Sequence, residues 1–175
     1  LSPKELEEAD SHIREANLKI GKNEPTKKGE EYIRNLQRRN WYQVKWADSV
    51  YAVGEFESPQ KRTNIQGEEF IVKPKTLVKG GTGLTVQMAI DNGKPVYFFN
   101  QSQKQWYTWN QSLNKGDGMF TEIKEPPRPT NRFAGVGTRK LNKFGKKAIK
   151  DLFEKNWAPS TTATDKVAKT AKETT

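Results

Sequence analysis

The chain has 175 residues with 31 Lys and Arg against 21 Asp and Glu, a net charge of +10 and a pI near 9.7. With 33% hydrophobic residues, 10% aromatics and a mean hydropathy of −0.96 it is polar, but its apolar residues cluster enough for one domain with a core. The absence of cysteine excludes disulfides and thiolate-held zinc or iron–sulfur centres, and with His12 the single histidine, no Ser-His-Asp machinery is expected near the motifs described below. The positive excess favours polyanions: nucleic acid, an anionic surface or a phosphorylated ligand. No stretch has the length of a transmembrane helix and no signal peptide is visible, so a cytoplasmic protein away from membranes is expected. The chain opens on Leu1 and not Met, which suggests a segment upstream.

Ser2, Pro3 and Glu5 write a capping box, and Leu6, Ala9, Ile13, Ala16 and Ile20 make one apolar stripe that Gly21 ends. This helix reads as an extension over residues 1–25, followed by a linker, "KNEPTKK". A second helix is expected from Thr26, its cap, to Trp46, with Tyr32, Ile33, Leu36, Asn40, Val44 and Ala47 toward one face. Asp48 to Phe56 is a short apolar, β-branched run that predicts a buried strand, and residues 57–78 read as an inserted hairpin. "GGTG" at 80–83 is expected to form a loop before a helix from Leu84 to Asn92, and "KPVYFFN" the next strand. That order is a βαβ unit. "QKQWYTWN" and "GMFTEIK" read as an antiparallel edge hairpin around "NKGDG", and "EPPRPT" as a stiff connector. "NRFAGVGTR" reads as a strand with a second glycine loop, and Lys140 to Trp157 as a helix with Leu141, Phe144, Ala148, Ile149, Leu152 and Phe153 on one face. The fold class is therefore α/β: a Rossmann-like parallel sheet flanked by helices with an added antiparallel hairpin. It makes a single domain over 1–157, with a Thr- and Lys-rich tail, 158–175, expected to be disordered.

A phosphate site needs backbone N–H groups aimed at one spot without side chains in the way, which a glycine turn at a helix N-terminus supplies. Gly80, Gly81, Thr82 and Gly83 stand in that position, and Gly135, Gly137, Thr138 and Arg139 repeat the arrangement. In a parallel sheet both fall at the carboxyl ends of strands, where open α/β folds bind ligands. The Lys-Ser/Thr pair of a Walker loop is missing. The alternative reading of each is a turn with glycine for backbone reasons only.

The segments "LQRRNWYQVKWADSVYAVG" and "GGTGLTVQMAIDNGKPVYFF" resemble the SLOG superfamily, which includes the LOG phosphoribohydrolases and DprA. Arg38 and Arg39 match its basic pair, Ala47 and Asp48 its strand entry, and Gly80, Gly81 and Gly83 its glycine loop. "FAGVGTRKLNKFGKKAI" resembles the first strand and helix of such domains but comes last here, which is similar to the circularly permuted, YpsA-like branch found in phage-type proteins. The resemblance covers roughly residues 30–155, less insertions at 57–78 and 101–130. An early "GGAKGAD"-like element is absent, as it would be in an N-terminally truncated member. The resemblance implies binding of a phosphorylated nucleotide or ADP-ribose-like ligand, with Arg38, Arg39 and Arg139 on the phosphate. It also implies a homodimer, since members are often oligomeric. The LOG glutamate that serves N-glycosidic cleavage falls on Gln87, which cannot act as a carboxylate; Asp91 and Asp48 are the substitutes within reach of the sequence. A LOG-like hydrolase and DprA-like nucleic-acid binding stay as alternatives. No cofactor and no metal are implied.

Each remaining candidate has a plain structural alternative. Trp106, Tyr107 and Trp109 can stack a base or cover the sheet. The lysines of the last helix, with Lys166, Lys169 and Lys172, can track a nucleic-acid backbone or merely face solvent. His12 reads as a surface helix residue.

Overall fold

The computed structural model describes residues 1–22, 29–64 and 66–154. It is an α/β fold in which a mixed five-stranded sheet lies between helices, with a separate two-stranded antiparallel sheet.

The first helix, α1 (Pro3–Ile20), begins where the sequence predicts. Ser2 accepts from the Glu5 N–H, the Glu5 side chain reaches back to Ser2, and Gly21 closes the helix in the left-handed conformation. Its stripe of Ala9, Ile13, Ala16 and Ile20 is buried in the main core beside Trp41, Leu84 and Met88. The expected N-terminal extension is therefore a layer of the domain. Burial of an isoleucine of this kind contributes about 1.5–3 kcal/mol, more than a dispensable appendage would supply.

The second helix, α2, runs Glu31–Trp46. The expected cap, Thr26, lies outside the described residues, as does the segment after Glu154, including the tail. The buried face of α2 is Trp41, Tyr42 and Val44, while Tyr32 and Ile33, expected inside, are 69% and 44% exposed. Trp41 anchors that face: its ring stacks on His12 of α1 at 3.8 Å, which also moves His12 from the expected surface position into the α1–α2 seam.

Strand β1 (Ser49–Gly54) is buried at every position. The excursion that follows holds β2 (Gln60–Thr63) and β3 (Glu69–Val72), paired antiparallel as the hairpin expected at 57–78. Its neck is closed by hydrogen bonds from Glu57 N–H to Leu77 O and from Lys79 N–H to Glu55 O. Helix α3 (Gly80–Asp91) therefore starts beside the end of β1. Strand β4 (Val96–Asn100), the hairpin of β5 (Gln105–Asn110) and β6 (Met119–Ile123), strand β7 (Phe133–Gly137) and helix α4 (Lys143–Glu154) complete the order.

The sheet order is β6-β5-β4-β1-β7; β1 is parallel to both β4 and β7, while β5 and β6 add antiparallel. Alternation along the strands decides the faces. Val50, Ala52, Val96 and Phe98 meet α1, α2 and α3, whereas Val53 and Phe99 meet Ala148 of α4. The same alternation separates the aromatic trio. Tyr107 and Trp109 belong to the three-helix side and Trp106 packs edge-to-face with Phe99 on the other, so the three cover a sheet and do not form one platform. The 124–132 connector is tied down by Tyr51, whose hydroxyl donates to Pro127 O at 2.8 Å and whose phenol burial pushes up to about 12. Among the described residues no helix is long and apolar enough to cross a membrane.

Candidate functional site

Adjacent strands β1 and β7 send their following helices to opposite faces, α3 to one and α4 to the other. Such a switch point opens a crevice at the carboxyl ends of the strands. Gly54 ends β1 there: a Cβ on it would lie 3.7 Å from Phe98, 3.8 Å from Val78 and 3.9 Å from Thr138. Val78, just before the first glycine-bearing segment, and Thr138, within the second, thus both lie beside Gly54, but neither segment has the expected local form.

Gly80–Gly83 is not a loop preceding the helix; it is the first turn of α3. Gly80 has φ +71°, which a side chain would disfavour, and Gly80 and Gly81 are exposed with nothing near their Cβ positions. Gly83 is buried and its N–H returns to Lys79 O at 3.3 Å. Thr82 is buried too, so Gly80 and Gly81 are the exposed residues of this helix end, where the first N–H groups of a helix have no intrahelical partner. Lys22, after α1, places its Nζ 3.5 Å from Gly80 O. Burial, then the Arg62 charge, holds the Lys22 ammonium below the ordinary lysine range, with Glu57 opposing.

In the second segment Gly135 and Gly137 are strand residues of β7, paired with Tyr51 and Val53. A strand with glycine and a glycine turn read alike in sequence; the ladder to β1 decides for the strand. The turn begins at Thr138, whose N–H donates to Val53 O and whose hydroxyl accepts from Lys140 N–H. Arg139 is exposed. Helix α4 starts at Lys143 and not Lys140, because the Asn142 side chain accepts from the Phe144 and Gly145 N–H groups at 2.9 Å.

A polar network that sequence reasoning missed lines the same edge. Gln101, 2% exposed, accepts from Asn142 N–H at 2.8 Å and donates to Glu55 at 3.1 Å. The other Glu55 oxygen takes the Ser102 N–H and, in a short contact, its hydroxyl. The signal was available as polar residues, Asn100 to Gln103, directly after an apolar strand.

The other predicted residues are elsewhere. Arg38 turns to α1, giving Asp10 two hydrogen bonds of 2.7 Å, and that partner, first of all, holds the Asp10 carboxyl below its ordinary range. The expected Arg38–Arg39 phosphate clamp is therefore broken up: Arg38 is a joint between helices, and Arg39 is exposed on α2. Asp48 lies at the amino end of β1, where its carboxylate accepts from Thr130 at 3.0 Å. Gln87 and Asp91 sit farther along α3, Gln87 about 10 Å down the axis from Gly80 at 1.5 Å per residue. There Gln87 donates to Asp91 Oδ1 at 2.9 Å, and both line a separate cleft. No group of three or more His, Asp or Glu side chains among the described residues is arranged to hold a metal.

Compared with family models, curated proteins and solved structures, the chain matches none.

Proposed function

We propose that this protein binds a phosphorylated nucleotide derivative, with the phosphate at the N-terminus of α3 and the remainder in the crevice toward Thr138 and Arg139. The observation that carries the reading is the open helix end. Gly80 and Gly81 present uncovered backbone at a strand-switch crevice, beside a lysine whose charge burial disfavours. An anion there meets the helix dipole and relieves Lys22. Of the carboxylates near this edge, Glu55 is already engaged by Ser102 and Gln101, and Glu57 by Arg62.

The same geometry favours binding over cleavage. Asp91, Asp48 and Gln87 are all outside the crevice, so no candidate acid faces a ligand bound at Gly80. Calorimetry with AMP, ADP-ribose, ribose 5-phosphate and adenosine is the test. Saturable binding of the phosphorylated compounds, weak or absent for adenosine, is expected. Silence from all of them, or equal binding of adenosine, would remove the reading. Sedimentation with and without AMP would test the homodimer suggested by the SLOG resemblance.

Nucleic-acid binding has its own supporting observation. Lys104 and Lys143 stand 4.0 and 5.2 Å from the centroid of one Phe144 ring, and Lys146 and Lys150 are exposed on the same helix. Two ammonium groups over one ring repel unless a polyanion lies between them. Retention of single-stranded DNA that falls steeply with salt and is lost in Lys104→Gln/Lys143→Gln supports this reading; salt-independent retention opposes it.

A further inference from the structure

A cleft of about 1000 Å³ lies away from the crevice, between the C-terminal ends of α1 and α3, the β2–β3 hairpin and the β5–β6 turn. Leu18, Leu77, Ile90, Phe70 and Trp109 give it apolar walls. Its charged lining is Lys19 and Lys73 against Glu68, Glu69, Asp91 and Asp117, four carboxylates to two ammonium groups and hence a local charge of −2 in a chain of +10. A region of opposite sign on a basic protein selects cations.

Asp91 is the most informative group. Its side chain is 7% exposed, Oδ1 takes Lys19 Nζ at 2.7 Å and Gln87 at 2.9 Å, and Oδ2 is buried without a partner. An unpaired buried carboxylate oxygen costs free energy that a donor recovers. The Lys19 side chain is 56% exposed, so its ammonium can swing into solvent while another ammonium takes its place on Oδ1, which keeps the buried Asp91 charge paired. Glu69 on the hairpin and Asp117 on the β5–β6 turn offer further carboxylates along the same cleft. A buried anion, a strip of apolar and aromatic wall, and separate outer anions match ammonium groups spaced along a methylene chain. A phosphate would face four carboxylates, and a divalent metal would find a single buried one.

We infer that this cleft binds a linear aliphatic oligoamine, with one ammonium on Asp91, the methylenes against Trp109 and Ile90, and a second ammonium toward Glu69 or Asp117. The inference does not rest on the nucleotide reading. The experiment is titration calorimetry of the full chain with spermidine at fixed ionic strength, with butylammonium and Mg²⁺ as comparison probes. Saturable spermidine binding is expected, weakened about tenfold or more in Asp91→Asn. It should weaken severalfold in the surface variant Glu69→Gln/Asp117→Asn, which keeps the test valid if Asp91→Asn does not fold. Butylammonium should bind more weakly, Mg²⁺ should not displace spermidine, and AMP should neither compete nor be required. No saturable heat at millimolar spermidine, unchanged binding in the folded Asp91→Asn or the surface variant, butylammonium binding as tightly as spermidine, or displacement by Mg²⁺ or AMP would overturn it.

Discussion

A methyl group added at Gly83 would overlap the carbonyl oxygen of Val78 and stand 2.9 Å from its carbonyl carbon. Helix α3 therefore packs backbone to backbone on the chain segment that feeds it. Gly83→Ala must force these apart and is expected to cost about 1–3 kcal/mol. Gly81→Ala, with open space around it, should leave stability unchanged or raise it by up to about 1 kcal/mol through helix propensity. Urea melts of the two variants check this; equal losses would mean that the contact does not matter.

The Asp10–Arg38 pair joins α1 to α2 with side chains 19% and 13% exposed. Asp10→Asn should destabilise by about 1.5–3 kcal/mol, the range for hydrogen bonds to charged groups. The folded Asp10 pKa is depressed, so its contribution is present above the unfolded carboxyl value and disappears as pH falls through the folded one. The parent and Asp10→Asn stability curves should thus converge in acid. A constant gap between them down to strongly acidic pH would contradict the assignment.

The shift of Lys22 has a consequence for binding. Its folded pKa lies below the ordinary lysine value, so between the two the unfolded chain holds more protons and stability rises with pH. A phosphate at Gly80 would draw the Lys22 pKa back up. AMP binding in that alkaline window should therefore take up protons, seen as a buffer-dependent heat in calorimetry, and Lys22→Met should abolish the buffer dependence. Proton uptake that survives the substitution would come from another group.

Gln101 holds the start of α4 to the end of the sheet through Asn142 and Glu55. Gln101→Ala leaves the Asn142 N–H without its acceptor, a loss of about 1–3 kcal/mol. Hydrogen exchange should quicken at Phe144 and Gly145 while α1 stays protected. Uniform acceleration across the domain would indicate that this network carries no local role.

What could be read from the residues was whatever is written locally. The Ser2–Glu5 box and the Ala9–Ile20 stripe specify α1, and the apolar run at Ser49–Gly54 specifies a buried strand. The crossover to Val96–Asn100 follows from their order, and the parallel pairing of β1 with β4 has that origin. Gly135 and Gly137 misled because glycine marks a turn and also survives in a strand, and only the partner strand distinguishes the two. Trp41 was missed as a core residue of α2 because its stacking partner, His12, is on another helix. Arg38 left the predicted site for the same kind of reason, since Asp10 is 28 positions away. The cleft at Asp91 was least legible, because Lys19 and Asp91 are 72 residues apart and meet only after the layers assemble.

The sheet is completed by its last strand. Val50 of the central strand pairs with Val96 on one side and with Ala134 on the other. During synthesis β1, buried at every position in the finished fold, therefore carries an unpaired edge until residues 133–137 have emerged, and joining them closes a long loop at an entropic cost. Until then a second nascent chain offers the nearest complementary edge. A protein cut short before Phe133 would thus keep every helix of the three-helix face yet associate through β1, which makes β7 a guard against aggregation as well as a wall of the crevice.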